Sequence, residues 1–220
     1  MTFDLGVITT HMSEVLSGFG TTLVATAVAC VLAMGLGLIV ALGLTAESRV
    51  FRYPTRLFVE VIRTTPFLIQ LFLLYYGGPS IGIYLEPMQA GIIGLAVYGS
   101  AYYAEIFRAG FKAIPKGHLE VAQIMGFSFG QTMWRIQIPQ MMVLIVPALV
   151  NTSIILGKET AVLSIVTVPE LTFVLTGIGS ETYAYAETLL VLSVAYLILA
   201  EATSKVGLMA EKRLSKYMER

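Results

Sequence analysis

The feature that most constrains this chain is an uncharged, strongly apolar run from Gly20 to Leu44. A helix needs about 20 residues to cross the hydrocarbon core of a bilayer, so a run of this length is typical of a transmembrane helix. Small side chains recur at every fourth position within it, at Ala25, Ala29, Ala33, Gly37 and Ala41. Helices in lipid associate through close packing, so this stripe predicts a seam with a second helix.

Further apolar stretches predict an all-α membrane protein. The predicted spans are approximately 20–44, 57–76, 90–107, 141–157 and 183–206, within a single transmembrane domain of residues 1–220. The composition agrees, because only 13% of the residues are charged, whereas soluble domains carry about 25%. Residues 160–179 are also apolar, but Pro169 and Glu170 in their middle favour a broken, re-entrant or peripheral segment on the outer side.

The positions of the basic residues predict the orientation. Residues 1–19 and 77–89 contain no Lys or Arg. Basic residues follow the first span, separate the third span from the fourth, and close the chain, from Lys205 to Arg220. Under the positive-inside rule the N-terminus is then outside and the C-terminus cytoplasmic, which requires an odd number of crossings, here five. Because a signal peptide begins with basic residues, we also expect Met1 to be retained.

The loop of residues 108–140 is charged and amphipathic, and this topology places it in the cytoplasm. Its first part, Gly117–Met125, predicts a short helix, which Gly126 would end in the left-handed conformation. A second short helix is expected from Ser128 to Ile136, stopping before Pro139 because the residue before a proline disfavours the helical region. Two short helices at an angle form a compact unit rather than a flexible tether.

Motifs in this loop resemble a known family. The pattern Glu120-x-Ala122-x-x-x-Gly126, followed after nine residues by Ile136-x-Ile-Pro139, resembles the EAA loop of ATP-binding-cassette (ABC) importer permeases, with Val121 in place of the usual first alanine. Further blocks resemble the polar amino acid permease subfamily (histidine, glutamine, arginine and opine type), namely Glu60–Gln70, Ala101–Arg108, Ile114–Gly117 and Lys158–Ala161.

This resemblance implies a multi-pass subunit of a bacterial inner-membrane importer with the type I ABC importer permease fold. The implied partners are a cytoplasmic ABC ATPase dimer, a second permease subunit (homodimer or similar heterodimer), an extracytoplasmic substrate-binding protein and membrane lipid, but no nucleic acid. The residues that would couple the permease to the ATPase are Glu120, Ala122, Gly126, Ile136 and Pro139.

The chain itself shows no sign of catalysis. It contains no G-x-x-x-x-G-K-[ST] phosphate loop, and His11 and His118 are each isolated in the sequence. We therefore expect no catalytic residue, no metal site and no cofactor on this chain. ATP and Mg²⁺ would be bound by the partner ATPase.

Polar residues within the spans are candidates for a substrate path, because ionisable groups there cost about 2.5–3.5 kcal/mol unless they have partners, water or a function. In the second span these are Glu60 and Gln70. The alternative for Glu60 is an ion pair with Arg63, and Glu105 similarly is expected to pair with Arg108.

The fourth span offers a stronger group. Pro147, Asn151 and Lys158 share one helix face, on which Lys158 could hold a substrate carboxylate while Thr152 or Glu159 meets its other groups. The alternative is that Lys158 pairs with Glu159. This segment departs from the family pattern, since Glu159-Thr160-Ala161 stands where Asp-Thr-Ser is more usual.

Two other classes of function stay open from the residues alone. One is a secondary transporter or channel subunit without ATPase coupling; the other is a structural subunit without a path. Secondary carriers are often built from internal repeats, and the sequence shows none. The leading prediction is the transmembrane subunit of an ATP-driven importer for polar amino acids or related compounds such as opines.

Overall fold

The computed structural model describes Asp4 and residues 6–218, and no strand occurs among them. The predicted retention of Met1 and the basic residue Arg220 at the end of the chain lie outside the described residues. The α-helices are α1 (Gly6–Thr10), α2 (Met12–Thr45), α3 (Arg49–Thr64), α4 (Phe67–Phe72), α5 (Pro87–Ala113), α6 (Lys116–Ile124), α7 (Phe129–Thr132), α8 (Ile138–Glu159), α9 (Leu171–Thr182) and α10 (Tyr185–Met218). Leu73–Gly77 and Met133–Gln137 are π-helical, and Gly78–Ile81 and Thr160–Val166 are 3₁₀-helical.

Within the described residues, four helical segments are long and apolar enough to cross a membrane: Met12–Thr45, Pro87–Ala113, Phe129–Val166 and Tyr185–Leu214. A fifth candidate is the pair Arg49–Thr64 and Phe67–Ile81, which is bent by 108°. The described residues therefore contain four candidate spans, or five if the bent pair counts as one.

The second predicted span, residues 57–76, falls in a bent pair of helices rather than in one straight helix. The helix breaks at Thr65, whose ψ of 139° is extended. Pro66 causes this break, because its ring disfavours the helical region for the residue before it. The chain resumes as α4 in a new direction, so α3 lies apart from the apolar segment that follows.

The predicted helix end before Pro139 is wrong. One helical segment, Phe129–Val166, includes α7, the π-helical turn and α8. Pro139 lies in the first turn of α8. In the π-helical turn the Ile138 amide bonds to the Met133 carbonyl, five residues back. This wider turn relieves the clash between a proline ring and the carbonyls of the preceding turn.

The stripe of small residues on α2 forms the predicted seam. Ala25, Ala29, Ala33 and Ala41 are fully buried, and Gly37 faces α5 so closely that an added Cβ would lie 2.7 Å from Tyr103 Cβ. On its other side α5 is joined to α8 by a hydrogen bond of 2.7 Å between Tyr103 Oη and Ser153 Oγ. The helices α2, α5 and α8 thus form the packed centre of the chain.

Residues 160–179 form a broken segment. Its only α-helix, α9, has 12 residues, which corresponds to about 18 Å and is too short to span a bilayer. Buried Glu170 caps its N-terminus: Oε2 accepts from the Thr172 amide at 2.9 Å and Oε1 from the Phe173 amide at 2.8 Å. The Tyr196 hydroxyl of α10 donates to Oε2 at 3.2 Å. Burial raises the pKa of the Glu170 carboxyl, against the opposing effect of these hydrogen bonds.

Replacing Glu170 with alanine is expected to lower the free energy of unfolding by about 2 kcal/mol, because the cap is lost and its buried donors are left unsatisfied. The amides of Thr172 and Phe173 should lose protection in hydrogen exchange. Glu170→Gln is the matched control, since its amide oxygen still accepts one of these bonds, and it should lose less. Equal melting temperatures and equal exchange in Glu170→Ala and the wild type would contradict the capping role.

Candidate functional site

The first helix of the loop, α6, turns an apolar face outward. Ala122 on its inner face is buried, with 1% exposure, whereas Ile124 on the opposite face is 86% exposed. Val121 and Met125 are also exposed. Glu120 lies at the surface on the same side of the helix as Ile124.

Gly126 ends α6 as expected, with a φ of 76° in the left-handed region. The Phe127 amide reaches back to the Ala122 carbonyl at 3.0 Å, which is the six-to-one bond of a Schellman ending. Ser128 then begins α7 with a reciprocal capping box: its hydroxyl accepts from the Gln131 amide at 3.3 Å, and its amide donates to Gln131 Oε1 at 2.9 Å.

The loop is fixed to the body of the protein at both ends. Ile114 is buried and Leu119 packs against the central core. His118 Nδ1 lies 2.8 Å from Gln140 Oε1, which links α6 to α8. Ile136 is partly buried at the junction, and Pro139 is exposed. The loop can therefore transmit a push to α5 and α8.

The loop carries five large exposed apolar side chains. We name them the coupling surface: Val121, Ile124, Met125, Phe129 and Trp134. Scattered exposed apolar residues are ordinary, but several of them on one short polar loop are typical of a contact with another protein or with the membrane surface.

A basic cavity of about 680 Å³ lies between α3 and α5. Its charged lining is Arg52, Arg56, Glu60, Arg63, Glu105, Arg108 and Lys112. The predicted Glu105–Arg108 pair is present, with Arg108 Nε donating to Glu105 Oε2 at 2.9 Å.

The alternative pairing of Glu60 with Arg63 is wrong. Glu60 Oε1 instead accepts from Arg56 Nε at 3.0 Å, one turn earlier. Arg63 turns toward α5, where its guanidinium carbon lies 5.3 Å from the centre of the Tyr102 ring. Cation–π contact with that ring accounts for the direction of the side chain.

A second cavity, of about 570 Å³, lies between α5 and α8. Asn151 and Thr152 of the predicted path line it together with Arg63, Tyr102 and Glu105. Tyr102 was not among the predicted path residues. The sequence indicates it only by its position one turn before Glu105 in the Ala101–Arg108 block.

Of the other predicted path residues, Glu60 lines the basic cavity, whereas Gln70, Lys158 and Glu159 line neither cavity. The Gln70 amide donates to the Ile62 carbonyl at 2.8 Å and to the Thr65 carbonyl at 3.0 Å, so it closes the break between α3 and α4. Lys158 and Glu159 end α8, and within the described residues they form no ion pair with each other. Also within that part of the chain, no three His, Cys, Asp or Glu side chains are grouped to hold a metal ion.

Comparison with known proteins decides the family. The sequence profile of the binding-protein-dependent transport system inner membrane component matches residues 33–210. The chain belongs to this family. It is an inner-membrane transport component, and family members work with a separate ATPase and a substrate-binding protein.

Individual relatives of this permease family agree over nearly the whole chain. The chain is 30% identical to the probable glutamine ABC transporter permease protein GlnM of Bacillus subtilis (strain 168), over 97% of this chain and 99% of GlnM. It is 32% identical to the histidine/lysine/arginine/ornithine transport system permease protein HisQ of Salmonella typhimurium, over 86% of this chain and 88% of HisQ.

A solved structure has the same fold. The crystal structure of an amino acid ABC transporter with histidines aligns with a TM-score of 0.87 at 33% identity, over 97% of this chain and 100% of that chain. The permease described here therefore has the helical fold of type I ABC importer permeases.

Proposed function

We propose that this chain is the transmembrane subunit of an ATP-driven importer that carries polar amino acids, or related compounds such as opines, across the bacterial inner membrane. The observation that carries the proposal is the coupling surface, an apolar contact face on a rigid loop of a chain in this family. The substrate class follows from the relatives, whose names specify glutamine in one case and histidine, lysine, arginine and ornithine in another.

The proposed topology has five spans, with the N-terminus outside and the C-terminus in the cytoplasm. The bent pair of α3 and the segment Phe67–Ile81 serves as the second span. The distribution of Lys and Arg supports this orientation, because it places residues 108–140 and the end of the chain inside. In this arrangement α9 lies on the outer side.

Energy comes from the partner ATPase dimer, which binds ATP and Mg²⁺, and this chain has no catalytic site or cofactor of its own. When the dimer closes, it pushes on the coupling surface. Gly126 fixes the angle between the two loop helices, and buried Ala122 holds α6 against the body. Glu120, exposed beside Ile124, is placed to pair with a basic residue of the ATPase. Ile136 and Pro139 pass the motion into α8.

Substrate released by the extracytoplasmic binding protein enters between two permease subunits, of the same or of a similar chain. In this proposal Lys158 and Glu159 at the outer end of α8 meet it first, and Asn151 and Thr152 receive it in the second cavity. Glu60 lies in the basic cavity on the cytoplasmic side. The hydrogen bonds of Gln70 give it a supporting role in the shape of the second span.

The test is uptake by the complete complex in proteoliposomes with binding protein and radiolabelled amino acids. We expect uptake only when ATP is supplied on the side of the membrane where the ATPase lies. We also expect uptake to stop when the ATPase carries a substitution that prevents hydrolysis. Uptake driven by a proton or sodium gradient without ATP would instead establish the secondary transporter, and absence of uptake with an intact complex would favour a structural subunit.

A further inference from the structure

We propose that Arg63, Tyr102 and Glu105 form a binding station for the amino acid backbone, at which Arg63 takes the substrate carboxylate and Glu105 the substrate ammonium. This inference rests on the proposed function. It adds a site on the path and the chemical group that the site recognises.

The position of these three residues sets them apart. Of the residues that line the basic cavity and those that line the second cavity, only these three are common to both. A solute that moves between the second cavity and the basic cavity would therefore meet them. Two other arginines of α3, Arg52 and Arg56, line the basic cavity but not the second one.

Arg63 is available to bind an anion. Among the described residues no carboxylate forms an ion pair with it, although a charged side chain near a membrane interior requires a partner, water or a function. Its guanidinium rests against the Tyr102 ring. The planar edge of a guanidinium presents paired N–H donors that match a carboxylate, and stacking on a ring leaves that edge unblocked.

Tyr102 is itself held in place. Its ring lies 5.0 Å from that of Tyr98, and the two hydroxyl oxygens are 3.1 Å apart. Tyr98 in turn packs against Phe67, with ring centroids 5.2 Å apart. This aromatic row extends from α4 along α5 and fixes the surface on which Arg63 lies.

Glu105 supplies the opposite charge. Arg108 donates to it through Nε and Nη2, and both bonds end on Oε2. Its other oxygen, Oε1, accepts no hydrogen bond from the described part of the chain. A carboxylate oxygen in this state is suited to a substrate ammonium. Because every amino acid carries both backbone charges, the station would serve substrates with different side chains.

The experiment measures equilibrium binding to the purified permease–ATPase complex in nanodiscs without binding protein. The probes are radiolabelled L-glutamine, L-arginine and L-histidine, each compared with its carboxamide. We expect saturable binding of at least one amino acid by the wild type and weaker binding of its carboxamide. Arg63→Gln should lower the affinity for the amino acid by about 10-fold or more, the size of a lost charge-assisted bond. This variant should bind the amino acid and its carboxamide equally well.

Two variants serve as controls for a general loss of structure. Arg63→Lys keeps the charge and should bind with intermediate affinity. Arg52→Gln lies on the same helix but outside the second cavity, and it should bind like the wild type. Unchanged affinity in Arg63→Gln, or no saturable binding by the wild type, would overturn the station. ATP-driven uptake by the same purified wild-type complex is measured in proteoliposomes. Its failure would refute the proposed function, whereas normal uptake with unchanged Arg63→Gln binding refutes only the station.

Discussion

Replacing Ile124 with aspartate is expected to abolish ATP-driven uptake while leaving the permease folded. Ile124 is 86% exposed, so a charge there costs the isolated chain little. The proposed function places the same side chain in the contact with the ATPase, where an unpaired carboxylate would lose its hydration. We expect the permease to bind the ATPase at least about 100-fold more weakly, which corresponds to about 2.8 kcal/mol.

The measurement is co-purification of the ATPase with the permease, together with uptake and melting temperature. Ile124→Leu is the matched control, because it keeps an apolar side chain of the same size and should assemble and transport like the wild type. If Ile124→Asp retains the ATPase and transports normally, the coupling surface is not the contact.

The second large effect is expected from Gly37→Leu in the α2–α5 seam. An added Cβ at this position would meet Tyr103 Cβ at 2.7 Å, the Ser100 carbonyl oxygen at 3.0 Å and the Ala104 amide nitrogen at 3.1 Å. Two of these atoms belong to the backbone of α5 and cannot move without shifting that helix. We expect a loss of about 3 kcal/mol, at the upper end of the range for overpacking, seen as a lower melting temperature and a poor yield of monodisperse protein.

Gly35→Leu gives the control for this substitution on the same helix. Nothing that the added Cβ could contact lies within 4 Å at Gly35. Glycine is less favourable than alanine in a helix by about 0.8–1 kcal/mol, and leucine ranks next to alanine. This variant should be as stable as the wild type or slightly more stable. Equal stability of the two leucine variants would show that the seam does not depend on close approach at Gly37.

Features set by neighbouring residues could be predicted from the sequence. The small-residue stripe of α2 is buried as expected because it follows from a four-residue repeat alone. The left-handed Gly126 and the Glu105–Arg108 pair are also local, since each involves residues within one or two turns. The resemblance in the loop and its flanks pointed to the correct family.

Features that depend on contacts between distant segments could not be predicted. A proline indicates that a helix is disturbed, but its effect depends on the surroundings: Pro66 breaks a helix, whereas a π-helical turn lets the chain continue through Pro139. The alternative pairing of Arg63 with Glu60 rests only on their spacing along the helix. The actual neighbour of Arg63, Tyr102, comes from α5 and becomes apparent only when the two helices pack.

The same limit applies to the path. Asn151 and Thr152 line the second cavity, but Lys158, at the end of the same helix, does not. Sharing a helix is therefore a weak guide to sharing a cavity. The orientation across the membrane rests on the charges of the loops, which the sequence shows directly.

The proposed function requires that the loop between α5 and α8 faces the cytoplasm and binds an ATPase. The direct measurement is labelling of Ile124→Cys with a membrane-impermeant maleimide, in a Cys30→Ala background because Cys30 is the chain's one native cysteine and is buried. We expect the introduced thiol to be labelled in inside-out vesicles and not in right-side-out vesicles. Bound ATPase should protect it from the maleimide. Labelling from the outside, or labelling that the bound ATPase leaves unchanged, would contradict the proposed function.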